Sequence, residues 1–416
     1  MKRYRWMLVV MFLFLGLSVG VSDAAACGGL FCQNIPVDQN AERIIFTENG
    51  DGTISAYIQI QYTGSAPDFS WILPIPVPIA AEDIEAPEDA MTAFTELETL
   101  TNPTFIPPVF PDCAMVVMSA EADDGAIPAE AGGVTVFATG EVGPFGFNVI
   151  GSDDPAALIT WLRTNQYTVT EQMEPLIDVY VAEKFAFLAM RLLPESGVQD
   201  IQPIKITYAT EKPMIPLRLT AVAANPDMAV IVWFYGSSQY VPENYTHMEV
   251  KDEDLTFFTF GGNDYRALMG RTADEYNGQA FVTEYAAPAA QLPVSNPLLV
   301  SLAQKHAYLT RLNTVISPEE MTVDPVFKYD PGRADVSNVH DLSGMTGLYD
   351  CERAEAESSV SFPFLTGSGN DGDTSSGSSA GATNYAIPAL VLVSVCLMGI
   401  LGGGLVVFGL TRLRRR

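Results

Sequence analysis

Side chains that most often carry chemistry are sparse in this chain of 416 residues. It has three histidines, His247, His306 and His340, and they lie far apart in the sequence. None of them belongs to a His-Glu-x-x-His motif, in which two histidines one helical turn apart bind zinc. The spacing therefore predicts no metal site and no zinc hydrolase. No cofactor and no catalytic residue is predicted.

One sequence motif has the form of a serine nucleophile, Gly377-Ser378-Ser379-Ala380-Gly381. In a hydrolase this motif needs a strand before it and a helix after it, which together expose the serine. Here the neighbouring residues are mostly Gly, Ser, Asp and Thr, which predict neither element. We therefore interpret the motif as a consequence of composition.

Acidic residues dominate the charge, with 50 Asp and Glu against 22 Lys and Arg. Two carboxylates can act as acid and base, but so many acidic side chains make no particular pair identifiable. Asp252-Glu253-Asp254 and Asp371-Gly372-Asp373 offer oxygen ligands to calcium, yet neither forms the ordered loop of a strong site. The formal net charge of −28 excludes a nucleic-acid partner and predicts an acidic, soluble surface.

The C-terminal apolar run from Ala386 to Leu410 predicts the topology. It carries no charge, and a helix rising about 1.5 Å per residue would cross a hydrocarbon core of about 30 Å. The basic tail, 411–416, is expected on the cytoplasmic side. We therefore predict a single-pass protein of the cell membrane with an extracytoplasmic ectodomain. Gly399 and Gly403 lie four residues apart and predict a weak homodimer through the span.

Residues 1–26 have the three parts of a signal peptide: basic residues, an apolar run and a small-residue cleavage site at Ala24-Ala25-Ala26. The mature chain is expected to begin at Cys27. Lipid attachment at Cys27 is the alternative, although that motif requires a large aliphatic residue where Ala24 stands. Residues 358–385, largely glycine and serine, are expected to form a flexible stalk before the span.

Four cysteines lie outside the predicted span: Cys27, Cys32, Cys113 and Cys351. An even number in an exported chain predicts two disulfides. A Cys₄ zinc site is the alternative, which an oxidising compartment disfavours. Two glycines let Cys27 and Cys32 close a small ring, which would leave Cys113 for Cys351. Pairing of both N-terminal cysteines with Cys113 and Cys351 stays open.

The ectodomain sequence is rich in strand patterns. Residues 44–47, the turn Asn49-Gly50-Asp51-Gly52 and the alternating apolar residues of 54–62 predict a hairpin. Alternate prolines in 71–78 predict an edge strand, because proline cannot donate to a sheet. Further strands are predicted at 116–119, 134–139, 145–150, 185–192, 204–208, 217–223, 229–235 and 281–285. Helices are predicted at 89–100, 152–162, 170–181, 264–271 and 317–321.

The fold class predicted from these elements is α+β, a mostly antiparallel, β-rich ectodomain plus one C-terminal transmembrane helix. Its length favours two subdomains, 27–199 and 200–357.

Several separated motifs resemble one known family. They include Ala26-Cys27-Gly28-Gly29-Leu30-Phe31-Cys32, Phe69-Ser70-Trp71-Ile72-Leu73-Pro74 and Leu309-Thr310-Arg311-Leu312. The chain is similar over roughly residues 27–327 to the exported bacterial proteins catalogued as domain of unknown function 2330. Because that family has no established activity, the resemblance implies domain limits and no site residues.

The sequence is compatible with two functions. The first is a non-enzymatic binding or structural domain at the cell surface, with an unknown extracytoplasmic ligand or protein partner. The alternative is an extracytoplasmic hydrolase that uses carboxylates in a groove between the subdomains. A pocket with two facing carboxylates would favour the hydrolase.

Overall fold

The computed structural model describes residues 39–60, 69–109, 135–210, 212–258 and 261–349. All of them belong to one compact unit. The predicted signal peptide, stalk and span and all five cysteines lie outside the described residues. Within the described ranges, no helix is long and apolar enough to cross a bilayer.

The described chain begins with the predicted hairpin. Strands β1 (Gln39–Glu48) and β2 (Thr53–Gln59) pair in antiparallel orientation. Gly50 and Gly52 in the turn have φ angles of 76° and 84°, which glycine adopts without steric cost. The Asp51 carboxylate accepts hydrogen bonds from the amide and the hydroxyl of Thr53, and these bonds fix the turn.

The remaining elements follow in chain order. They are β3 (Ser70–Ile75), β4 (Ile84–Glu85), α1 (Ala90–Thr101), β5 (Thr104–Ile106), β6 (Thr135–Val142), β7 (Phe145–Gly151), α2 (Pro155–Thr164), α3 (Glu174–Ala182), β8 (Ala186–Leu192), β9 (Ile204–Ala209), α4 (Leu217–Thr220) and β10 (Ala224–Gly236). Next come β11 (Tyr240–Pro242), β12 (Thr246–His247), α5 (Tyr265–Asp274), β13 (Ala280–Pro288), α6 (Pro297–Lys305), β14 (Tyr308–Ile316), β15 (Phe327–Tyr329) and β16 (Val339–Asp341). Short 3₁₀ turns include Ala81–Asp83, Asp252–Asp254 and Pro318–Glu320.

An eight-stranded sheet forms the centre, in the order β12-β13-β14-β10-β1-β2-β9-β4. Most neighbours are antiparallel, but β1 runs parallel to β10 and β12 runs parallel to β13. Strands from both predicted subdomains share this sheet, and the division at 199/200 stays a prediction. A second, antiparallel sheet has the order β3-β8-β7-β6, which confirms the predicted edge position of β3.

Alternate residues of the central strands divide the core between two faces. Ile44 and Phe234 pack with Trp71 and Leu188 between the two sheets. Their neighbour Trp233 faces the other way, against α1 and α6. Helices α2 and α3 cover the outer face of the four-stranded sheet. The result is four layers, helix, sheet, sheet and helix, which confirms a strand-rich α+β fold.

Two sequence expectations differ from the structure, and a third lies outside the described residues. The strand predicted at 217–223 is wrong, because that segment is the short helix α4, with Leu217 and Leu219 buried. A short apolar run fits a buried helical turn as well as a strand. Neither α6 nor β14 was predicted, although Asn296 before Pro297 is a typical helix start. The strand predicted at 116–119 lies outside the described residues.

Candidate functional site: a pocket with two histidines

A cavity of about 960 Å³ opens at the β12–β13 end of the central sheet. We call it the histidine pocket. Its walls are Gln239, residues 247–253, Tyr265, residues 282–284, residues 333–336, His340 and Met345. The pocket therefore joins β12, β13, α5 and β16 with the loops between them.

His340 is held by a carboxylate at one wall. Its Nδ1 lies 2.7 Å from Asp252 Oδ1, and its ring stacks on Phe105 with ring centres 4.8 Å apart. Strand β16 carries His340 and pairs with β5, which carries Phe105. In the neutral imidazole, this bond keeps the proton on Nδ1 and leaves a lone pair on Nε2. This arrangement can accept a proton or a hydrogen bond from a ligand.

His247 lies at the edge strand β12, and its Nε2 is 2.8 Å from the Thr283 hydroxyl of β13. Burial, followed by the nearby positive charge of Arg333, lowers the pKa of His247 to about 4. The ring is therefore neutral at pH 7, with one nitrogen that donates and one that accepts.

Glu284 reaches the same pocket because β13 contains a bulge. The pairing of β13 with β14 shifts between Thr283 and Tyr285, so Glu284 has no opposite residue. Its carboxylate accepts hydrogen bonds from Arg311 Nε at 2.5 Å and from Asn313 Nδ2 at 2.9 Å. Glu284 is thus a buried carboxylate whose negative charge is paired with Arg311.

Tyr265 on α5 connects these groups. Its hydroxyl hydrogen-bonds the Glu284 carboxylate, and its ring packs on Phe105 with ring centres 5.0 Å apart. Burial, followed by the negative charge of Glu284, raises the pKa of Tyr265 well above its usual range. Tyr265 therefore remains a neutral hydroxyl in the wall that also holds His340.

Arg311 anchors this wall to the core. Its guanidinium lies within 3.3 Å of Glu98 Oε1 and donates to Asn102 Oδ1 at 3.1 Å. It also lies over the Trp233 ring, 5.3 Å from the ring centre. The Trp233 indole N–H and Arg311 both donate to the hydroxyl of Thr101. These bonds tie β14 to α1 and β10, so the position of Glu284 is fixed from behind.

Most other charged groups of the pocket have a partner as well. Arg333 donates to Asp330 at 3.1 Å, Lys251 lies 3.8 Å from Glu253, and Asp335 accepts from the Tyr308 hydroxyl. Gln239 differs from them. It is 3 % exposed, and its Oε1 is buried without a hydrogen-bond partner among the residues that the structure describes.

The sequence comparison agrees with this fold and adds no activity. The sequence model of a family described as an uncharacterised protein conserved in bacteria, DUF2330, matches residues 21–328. The chain belongs to the DUF2330 family. No curated protein and no solved structure matches it. The resemblance inferred from the motifs is thus confirmed, and its Leu309-Thr310-Arg311-Leu312 motif supplies the buried Arg311 of β14.

The limits of the match divide the pocket. His247, Tyr265 and Glu284 lie inside the region matched by the DUF2330 family, whereas Arg333 and His340 lie beyond residue 328. The wall that carries the Asp252–His340 pair is therefore built partly from sequence outside the family match.

The sequence predicted no partners for its histidines, and the structure places two of them in one pocket. His306 lies elsewhere, after α6, with its ring 6.1 Å from that of Tyr235. No sequence signal identified the Asp252–His340 pair, because 88 residues separate its members. Among the described residues, no group of three or more His, Cys, Asp or Glu side chains is placed to hold a metal. The predicted disulfide cysteines lie outside the described residues.

Proposed function

We propose that this member of the DUF2330 family is a membrane-anchored extracytoplasmic protein that binds a small polar ligand in the histidine pocket. The observation that carries the proposal is a cavity of about 960 Å³ lined by His247, which bonds Thr283, and by His340, which Asp252 holds. A tyrosine and a glutamine also line this cavity. Small-molecule sites occupy roughly 300–1,000 Å³ and use a few placed polar groups. The charge-free C-terminal run and the signal-like start support the location.

The hydrolase alternative draws on a different observation. Asp252 orients His340 as carboxylates orient a general base, so His340 Nε2 could take a proton from water. The described lining residues, however, include no serine or cysteine, and the Tyr265 and Thr283 hydroxyls already bond to Glu284 and His247. All lining residues lie between 239 and 345, within one predicted subdomain rather than between two. Binding is therefore the better supported function.

A substitution that fills the pocket tests the proposal. Ala334 is an exposed lining residue, so Ala334→Trp should fill the cavity without disturbing the core. Ala81→Trp is the matched control, because Ala81 is exposed and lies on a 3₁₀ turn that does not line the pocket. The full-length chain is purified in a polyoxyethylene detergent, and melting is followed with a panel of saccharides, amino acids and organic acids.

The expected result is that at least one compound raises the melting temperature of the unmodified chain and of Ala81→Trp, but not of Ala334→Trp. An equal shift for Ala334→Trp, or no shift for any compound, would refute binding at this pocket.

A further inference from the structure

We infer that the ligand of the histidine pocket is an uncharged oligosaccharide. This inference rests on the proposed function and names the chemical class of the ligand. It follows from three properties of the lining: most of its charged groups already have a hydrogen-bond or ion-pair partner, its remaining polar groups suit hydroxyls, and its other surface is apolar.

Most charged side chains of the lining already have partners. Asp252 holds His340, Glu284 holds Arg311, and Arg333 holds Asp330, at distances between 2.5 and 3.1 Å. Lys251 lies near Glu253, and Asp335 bonds the Tyr308 hydroxyl. Glu249, the remaining charged lining residue in the described chain, is exposed. A charged ligand would compete with these existing partners, and separation of the buried Glu284–Arg311 pair would be costly.

The polar atoms that remain include both hydrogen-bond donors and hydrogen-bond acceptors. Gln239 offers a buried carboxamide oxygen without a partner among the described residues. His340 offers Nε2, and His247 offers its second ring nitrogen beside the Thr283 hydroxyl. A sugar hydroxyl both donates and accepts, so it fits such a mixture without a proton transfer. A ligand hydroxyl that reaches Gln239 would also satisfy an oxygen that otherwise lacks a bond.

The rest of the lining is apolar. Met248 and Val282 are buried, and Val250, Val336 and Met345 contribute further to the walls. A pyranose ring has hydroxyls at its edge and C–H groups on its faces, which matches polar atoms set among methyl groups. The volume lies at the upper end of the usual range for small-molecule sites, which favours several linked rings over one.

Titration calorimetry on the full-length chain in a polyoxyethylene detergent tests the inference, because this detergent has no sugar head group to occupy the site. The probes are neutral oligosaccharides of glucose, mannose and N-acetylglucosamine. Each is compared with a cationic probe, oligomeric glucosamine, and an anionic probe, oligomeric galacturonic acid. We expect at least one neutral probe to bind at least tenfold more tightly than both charged probes.

Two substitutions connect that affinity to the named atoms. Gln239→Met removes the carboxamide, and Thr283→Val removes the hydroxyl beside His247; each should weaken the neutral probe at least tenfold. Thr246→Val is the matched control, because Thr246 is also half-buried, on the neighbouring strand β12, and does not line the pocket. Unchanged affinity in Gln239→Met and Thr283→Val would overturn the inference.

The remaining outcomes separate this inference from the proposed function. Preferred binding of a charged saccharide or of an amino acid, lost in Ala334→Trp, would overturn the ligand class and leave a binding pocket. Binding of the neutral probe that persists in Ala334→Trp would overturn both, because the site would then lie elsewhere.

Discussion

Arg311 Nε donates a hydrogen bond to Glu284 Oε2 across 2.5 Å, and both side chains are 1 % exposed. A buried ion pair contributes to stability only when further hydrogen bonds satisfy both partners, and here Asn313 and Asn102 supply them. The pair connects the family motif of β14 to the wall of the histidine pocket that contains Glu284. Its role is to fix a wall of the site.

Glu284→Gln should destabilise the fold by about 3 kcal/mol, because it leaves the Arg311 charge buried with only the partial compensation of Glu98. Urea unfolding measures the loss. The matched control is Asp153→Asn, which breaks an exposed pair with Lys184 and should cost less than about 1 kcal/mol. Similar losses for both substitutions would contradict the assigned role of the Arg311–Glu284 pair.

The fold was predictable where local chemistry determined it. The β1–β2 hairpin followed from Gly50 and Gly52, whose positive φ angles suit the turn. Strand β14 was missed because Thr310, Arg311 and Asn313 are polar and yet buried. Their hydrogen-bond partners lie on other elements, so no local sequence pattern predicts that these residues are buried.

The histidine pocket could not be predicted for a related reason. His247 meets Thr283 across 36 residues, and His340 meets Asp252 across 88. Both contacts depend on which strands become neighbours and in which register. The position of Glu284 depends further on a bulge that the sequence of β13 does not predict.

Gln239→Met should raise the free energy of unfolding by about 1–2 kcal/mol, because it removes a buried oxygen that has no partner among the described residues. Asn296→Leu is the control. Asn296 is also a buried amide, but it donates to the Asp89 carbonyl and the Thr92 hydroxyl and accepts from the Leu299 amide. Asn296→Leu should therefore lower stability. Changes of the same sign in both variants would contradict the functional interpretation of Gln239.

Glu42 should make stability depend on pH. It is 6 % exposed on β1, and burial raises its pKa from 4.5 to about 7; the Thr220 hydroxyl opposes this shift and the negative charge of Asp324 adds to it. Between these two values the folded chain keeps a proton that the unfolded chain releases. Stability is therefore fully present below pH 4.5 and falls by about 3 kcal/mol as pH rises through 7.

Glu42→Gln should remove this dependence. We expect it to match the unmodified chain at pH 4.5 and to be about 3 kcal/mol more stable at pH 8, measured by urea unfolding. Glu88→Gln, at an exposed position, should behave as the unmodified chain does. A stability difference between Glu42→Gln and the unmodified chain that is independent of pH would show that Glu42 does not titrate in this way.

The predicted topology places all described residues outside the cell membrane, because the only charge-free run of spanning length after the signal is 386–410. Protease should therefore remove the bulk of the protein when it is added to cells whose outer envelope admits the protease and whose cell membrane is intact. A cytoplasmic marker protein must stay intact as the control. Complete protection of the chain under these conditions would contradict an extracytoplasmic ectodomain.

The described residues that precede Cys113 and Cys351 bear on the predicted disulfide pairing. Strands β5 and β16 run parallel, so the chain leaves both in the same direction, and the Tyr349 hydroxyl then donates to the Pro108 carbonyl at 3.4 Å. Cys113 follows Pro108 by five residues and Cys351 follows Tyr349 by two. With about 3.3–3.6 Å of reach per residue, the two thiols can meet.

The contact between Tyr349 and Pro108 favours a Cys113–Cys351 bridge. Such a bridge leaves Cys27 for Cys32. The larger bridge would close a loop of about 240 residues and contribute about 5 kcal/mol through the entropy of the unfolded chain. Non-reducing peptide mapping should therefore recover a fragment with Cys113 linked to one with Cys351. A reduced and alkylated sample is the control. A fragment containing Cys27 linked to Cys113 or Cys351 would show that the N-terminus is instead joined to the distant cysteines.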